Sequence, residues 1–169
     1  RQSLINAQDK DMIILLVLAG FGVKAGVIGF HVWLPLAHPV APTPASAVLS
    51  GTMIKAGLLG WLRMLPLGEI ALPDLGVVVV ILGLATAFYG VAIGLTQRNP
   101  KTLLAYSSIS QMGIITISIG LGMFAPQAWP IILPGIAFYA LHHGLSKGAL
   151  FLGVGLSGSN HHLQRHWIW

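Results

Sequence analysis

The sequence predicts an all-α fold, a polytopic transmembrane helical bundle of about five spans, and three observations carry that expectation. Only 8% of the 169 residues are charged while 55% are apolar, against ~25% charged in average soluble domains. The mean hydropathy is +0.82. Apolar runs recur that are long enough to cross a ~30 Å hydrocarbon core, which takes ~20 helical residues. A soluble globular domain is thereby excluded, and so is disorder, which needs low hydrophobicity and high charge. With no cysteine, thiolate nucleophiles, Cys-based zinc sites and iron–sulfur ligation are out. Nine Lys and Arg face four acids for a net charge of +5, yet the bases are scattered singly and form no nucleic-acid-binding patch. No strand and no glycine-rich phosphate loop are predicted, and no acid dyad or activated hydroxyl points to hydrolysis.

The five spans follow in order, and residues 1–169 read as one membrane domain. The first runs from Met12 to about Phe30, behind Asp9-Lys10-Asp11. Gly20, Gly22, Gly26 and Gly29 crowd its second half, and repeated glycine at ~1 kcal/mol each predicts a break near Lys24, tolerated where it lines a protein-buried or hydrated cavity. The second occupies about 44–65, opened by Ala41-Pro42-Thr43-Pro44, which suits a helix start. The third, about 75–97, holds no charge in 23 positions and follows Pro73-Asp74. The fourth covers about 101–123 after the break at Asn99-Pro100. The fifth, about 129–157, exceeds the need and contains Pro134, so it is expected to tilt, kink or extend beyond the bilayer. The chain opens on Arg1 and closes without a terminating element, and is expected to be a piece of a longer membrane protein. Setting the opening residues aside, the Lys/Arg bias puts the loop between the third and fourth spans, and the C-terminus, in the cytoplasm.

Lysine carries the chemistry. Lys10 and Lys101 sit at span ends, where snorkelling makes them cheap. Lys24, Lys55 and Lys147 fall well inside their spans and are expected near a common midplane level, each opposing insertion by ~3 kcal/mol. Desolvation favours the neutral amine, so a deep lysine can alternate between ammonium and amine and hand on a proton. Arginine cannot, and every arginine here is peripheral. The four acids, Asp9, Asp11, Glu69 and Asp74, stand at span ends, so carboxylate partners for the lysines are expected from outside the sequence. His143 and Lys147 are four apart and share a helix face, with Tyr139 a turn earlier. Imidazole is the natural relay between lysines. His142, a quarter-turn away, reads equally as a relay or as a carbonyl-bonded side chain. His31 and His38 flank Trp33-Leu34-Pro35 and read as interfacial, pore-mouth or relay groups. Ser50, with Ser46, Thr52, Ser107, Ser108, Ser110, Gln111 and Thr116, puts hydroxyls and an amide inside the spans, where they hold water between lysines or bond helices together. Helix bonding is the reading for most of these. His162 and His166 have metal-ligand spacing in a terminal tail, which alone is a poor metal site; no resident metal or cofactor is expected.

Three stretches carry a resemblance. Gly22-Val23-Lys24 leading to Phe30-His31-Val32-Trp33-Leu34-Pro35-Leu36-Ala37-His38, followed by Ala41-Pro42-Thr43-Pro44-Ala45-Ser46-Ala47-Val48-Leu49-Ser50-Gly51, is the first. Leu103-Leu104-Ala105-Tyr106-Ser107-Ser108-Ile109-Ser110-Gln111-Met112-Gly113 is the second, and His143 to Lys147 with Ala149-Leu150-Phe151-Leu152 the third. Together they resemble the proton-translocating antiporter-like family: the large membrane subunits of respiratory complex I, membrane-bound hydrogenase subunits and Mrp-type Na+/H+ antiporter subunits. The resemblance implies the middle of a ~14-helix inverted-repeat fold. It makes Lys24 the lysine of a broken helix, Lys55 the lysine or histidine of the next helix, and Lys147 a linking lysine. An essential glutamate would precede Arg1 and an exit residue would follow Trp169. Lysine at position 55 leans toward the complex I subunit 4, hydrogenase or Mrp branches rather than subunit 5. Asn99-Pro100-Lys101-Thr102 departs from the acid and two bases usual before the second motif. By this resemblance the chain belongs to a multi-pass subunit of a bacterial inner-membrane complex. It contacts lipid and other membrane subunits and moves protons, or exchanges Na+ for them. It performs no redox chemistry itself and binds no nucleic acid.

Overall fold

The computed structural model describes residue 5 and residues 7–165, with side chains described through residue 157; the His162/His166 spacing lies outside those side chains. The fold is built, among the described residues, of α1 (Lys10–Ala25), α2 (Trp33–Val40), α3 (Thr43–Met64), α4 (Pro73–Gly94), α5 (Pro100–Phe124) and α6 (Trp129–Arg165). Among the described residues there is no strand. Three helices among the described residues, α3, α4 and α5, are long and apolar enough to cross a membrane. The first expected span does not persist as one helix to Phe30. It stops at Ala25, where Gly26 turns left-handed at φ 74° and its N–H bonds back to the Gly22 carbonyl at 3.0 Å. Gly29 is left-handed as well, at φ 90°.

The break falls two residues past Lys24, and neighbouring side chains meet its loose backbone groups. The Trp33 indole N–H donates to the Val23 carbonyl at 2.8 Å, and the Ile28 N–H donates to Thr86 Oγ1 at 3.2 Å. This is the condition for irregular backbone at membrane depth. A left-handed residue with a Cβ costs ~1–2 kcal/mol, and there is room for one at Gly26, 3.7 Å from Leu34. Gly26→Ala is therefore expected to lower the thermal midpoint of the detergent-solubilised protein. Gly20→Ala, in open space inside α1, is expected to leave it unchanged or raise it.

The other starts follow local chemistry. Pro73 and Pro100 occupy first-turn positions of α4 and α5, where the missing N–H costs nothing. The Asn99 side chain caps α5, accepting from Lys101 N at 2.9 Å and Thr102 N at 3.4 Å. Thr43 lies inside the first turn of α3 rather than capping it.

Packing is set by missing side chains. Along α4 and α5, Gly76 meets the Gly120 carbonyl, Gly83 meets Gly113, and Gly90 meets Ser110; a Cβ on any of these glycines would sit 2.5–2.8 Å from partner backbone. Gly57 of α3 likewise lies against Ala25 and Phe21 of α1. Trp61 is buried between α1 and α3 and donates its indole N–H to the Leu18 carbonyl at 3.2 Å. The two faces of α5 are the most covered of the three long helices, so α5 is the spine of the bundle.

The fifth expected run is one helix of 37 residues, with Pro134 inside it. Its length lies beyond one end of α5 rather than being shared between both. Trp129 packs on Gly68 and Gly122 at the C-terminal end of α5, and α6 then runs antiparallel past the start of α5.

Candidate functional site

Ser50 lies in a widened turn, Leu49–Met53, where the Ile54 N–H reaches the Leu49 carbonyl five residues back. Such π turns re-aim the groups around them. The neighbouring backbone of α6 comes close: a Cβ on Gly144 would lie 3.0 Å from the Gly51 carbonyl oxygen. Lys55 leaves α3 just after this turn. Helical side chains lean toward the N-terminus, and the Lys55 Nζ donates to the Ser50 carbonyl at 2.6 Å.

From there the contacts continue through the Ser50 side chain. The Ser50 and Ser108 hydroxyls, both fully buried, pair at 2.6 Å. Ser108 Oγ donates to the Leu104 carbonyl at 3.0 Å, and Lys147 Nζ donates to that same carbonyl, also at 3.0 Å. A carbonyl oxygen has two lone pairs and can serve both donors. Lys147 is only 4% exposed. Three helices thus join two lysines through one turn of α5.

His143 lies on the Lys147 face of α6, 4% exposed, and neither ring nitrogen has a protein partner. Both Lys55 and Lys147 lie within electrostatic reach of it. An imidazole so buried and unpartnered loses the hydrogen bonds it had in water. The Lys55 stem is half-buried and lines grooves of about 550 and 390 Å³ between α3 and α6, whose other walls are mostly apolar.

The contacts of the Lys55 and Lys147 amines lie at different levels along α5. α5 is 25 residues long, so its middle is at Met112. Leu104, which holds the Lys147 amine, lies ~12 Å from that middle, and Ser108 lies ~6 Å from it. Both amines belong to the N-terminal half of α5. The physical reason is that α6 begins level with the end of α5, so the centre of its long apolar run is not the centre of the bundle.

The remaining predicted residues are dispersed around this chain of contacts. Tyr139 donates its hydroxyl to Gln111 Oε1 across the α5–α6 interface. His142 faces outward, with Nε2 3.4 Å from Ser146 Oγ. His38 is fully buried and stacks on Phe151 with ring centroids 4.5 Å apart, both its nitrogens unpartnered. His31 meets Tyr89 edge-on at 4.8 Å. Lys101 Nζ donates to the Ala41 carbonyl at 2.8 Å, closing the α2–α3 link over the start of α5. Lys24 does not join the cluster. It lies in the last turn of α1, at the depth of Gly57, and is exposed on the surface of this chain.

Sequence reading missed Tyr89, and it left open which of the polar side chains inside the spans bond across helices, as Ser108 and Gln111 do. Ser108 and Gln111 both stand in the second motif stretch, but nothing in their spacing separates a bridging hydroxyl from one bonded within its own helix. Among the described residues no group of three His, Asp or Glu side chains gathers to hold a metal ion.

Comparison with known proteins bears on this arrangement. A family model described as "NADH:quinone oxidoreductase/Mrp antiporter, TM" matches residues 2–167. The chain is 40% identical over 151 residues to Hydrogenase-4 component B of Escherichia coli (strain K12), covering 85% of this chain and 22% of that protein. It is 40% identical over 153 residues to the putative antiporter subunit mnhA2 of Staphylococcus saprophyticus, covering 85% and 19%. A chain of the solved Mrp complex from Dietzia sp. DQ12-45-1b superposes with a TM-score of 0.77 at 29% identity, over 89% of this chain and 27% of that one. The chain thus spans about a fifth of the length of these curated relatives.

Proposed function

The chain belongs to the NADH:quinone oxidoreductase/Mrp antiporter transmembrane family, and from that premise we propose that it forms the central part of a proton-translocating membrane subunit of a redox-driven complex, of the quinone oxidoreductase or hydrogenase kind. The observation that carries the proposal is the pair of lysines, Lys55 and Lys147, tied to backbone carbonyls and joined through Ser50 and Ser108, with an unpartnered His143 beside them. Among the described residues no carboxylate is bonded to either amine. An amine tied only to neutral carbonyls has no fixed counter-charge to hold it as ammonium, and lysine, unlike arginine, can release its proton. A charge arriving or leaving nearby therefore tips it, and the imidazole of His143 passes the proton between the two lysines through water.

Lys24 supplies the other end of the path. It is exposed on this chain at the level of Gly57, and its counter-charge comes from elsewhere in the longer protein. Electron transfer belongs to other subunits of the complex, and this chain carries no redox cofactor. With the start of α5 facing the cytoplasm of a bacterial inner membrane, Lys147 is the cytoplasmic end of the pair.

The test is Lys24→Ala in the full-length subunit, with proton uptake measured in vesicles and assembly measured by the amount of intact complex. Loss of uptake with assembly retained is the expected result; uptake at the wild-type rate rejects the proposal. A second reading, an Mrp-type subunit exchanging Na+ for H+, draws on the likeness to the Dietzia Mrp complex. It expects salt-sensitive growth at alkaline pH on deletion, with no dependence on quinone or hydrogenase turnover.

A further inference from the structure

We propose that Ser108 is a positioning residue of the proton path, its hydroxyl setting the spacing of the Lys55 and Lys147 amines by bridging the α3 turn to the Leu104 carbonyl. The inference rests on the proton-translocation reading and adds to it a residue that sequence reading assigned to helix bonding.

Other hydroxyls in the long helices provide the contrast. Thr52 donates to Val48 O, Thr116 to Met112 O and Ser118 to Ile114 O, each four residues back in its own helix. These bonds satisfy a hydroxyl in an apolar setting and connect nothing else. Ser108 makes the same bond to Leu104 O, yet its oxygen also meets the Ser50 hydroxyl on α3 at 2.6 Å, and its acceptor is the one that holds Lys147. Ser50 in turn offers its carbonyl to Lys55 at 2.6 Å. Lys147 is thus tethered to an acceptor it shares with Ser108, and Lys55 to the backbone of the residue whose hydroxyl Ser108 meets; both serines are fully buried.

The pair has two arrangements. Either oxygen can be the donor. With Ser50 donating, the Ser108 proton lies on the Leu104 carbonyl beside the Lys147 amine. With Ser108 donating to Ser50, Lys147 holds that carbonyl alone. A neutral amine is a weaker donor than an ammonium, so loss of a proton from Lys147 favours the first arrangement. The α3 turn that carries the Lys55 acceptor feels the change through Ser50.

The experiment is a double-mutant cycle in the full-length complex reconstituted in liposomes: Ser108→Ala, Ser50→Ala and both together, with the pH dependence of proton translocation as the readout. Each single variant is expected to move the midpoint of the profile by about half a pH unit, the size of one hydrogen bond, and the double variant by no more than either single one. Ser118→Ala should superimpose on wild type. If Ser108→Ala fails to accumulate in the membrane, Ser108→Cys is read instead, since its thiol fills the same space but hydrogen-bonds weakly. A Ser108 profile superimposed on wild type, or single shifts that add, overturns the proposal. Lys55→Ala in the same series separates the two ideas: if it abolishes translocation while the serine variants behave as wild type, only the role of Ser108 falls. If Lys55→Ala translocates normally, the proton path itself falls.

Discussion

Lys147→Ala is expected to reduce proton translocation by ~10²-fold or more, the range of a lost proton-transfer group, while the protein still folds and assembles. Its fold survives because the Leu104 carbonyl keeps Ser108 as a donor when the amine is removed. The substitution also removes an ammonium whose burial opposes insertion by ~3 kcal/mol on translocon scales. Function and stability therefore separate at this position. Lys147→Arg sharpens the result. It retains a positive charge at the same place but cannot release a proton, so it should be as inactive as alanine. Proton uptake by inverted vesicles, normalised to the amount of intact subunit, is the measurement. Near-normal uptake by the arginine variant would mean that only the charge at this position matters, and the relay role of Lys147 would have to be given up.

Gly113→Leu should do the opposite, destroying the bundle without touching a polar group. A Cβ at position 113 would lie 2.5 Å from Ala87 N and 2.8 Å from the Gly83 carbonyl, both rigid helix backbone. A leucine forces α4 and α5 apart along a seam that also joins Gly76 to Gly120 and Gly90 to Ser110. Overpacking of a closed core costs ~1–3 kcal/mol or more. In lipid the loss is not recovered by water release, since close packing is what holds such helices together. The expected outcome is little folded protein in the membrane and a lowered thermal midpoint for what remains. Gly135→Leu, with nothing within 4 Å of its Cβ position, is the matched control and should behave as wild type. Equal accumulation of both variants would mean that the α4–α5 seam is not what holds the bundle.

Much of the architecture was legible because membrane helices announce themselves in one dimension. The charge-free stretch behind Pro73-Asp74 is a helix from Pro73, and the Asn99-Pro100 break is a capped start. The glycine cluster around Lys24 forecast a break, and Gly26 makes it. The pairing of His143 with Lys147 followed from their spacing on α6. Other features were not legible. That Lys24 lies exposed on the surface rather than in the Lys55–Lys147 cluster depends on how α1 rotates against α3, where Gly57 and Trp61 make the contacts. The levels of the two buried amines depend on where α6 starts relative to α5, and no run length contains that offset.

Composition and pattern alone determined that the chain is helical and membrane-embedded, that breaks fall beside Lys24 and at Asn99-Pro100, and that its unusual chemistry lies in deep lysines and histidines; the short helix Trp33–Val40 was not among the expected elements. Those properties are local, arising from the transfer of single residues into hydrocarbon and from the hydrogen-bonding needs of helix ends. Only the tertiary structure decided which lysines share a site, which serine lies between them and which side chain faces outward. Distance between helices is set by backbone contact at glycines and by widened turns such as Leu49–Met53. Neither has a value until two segments far apart in sequence have met.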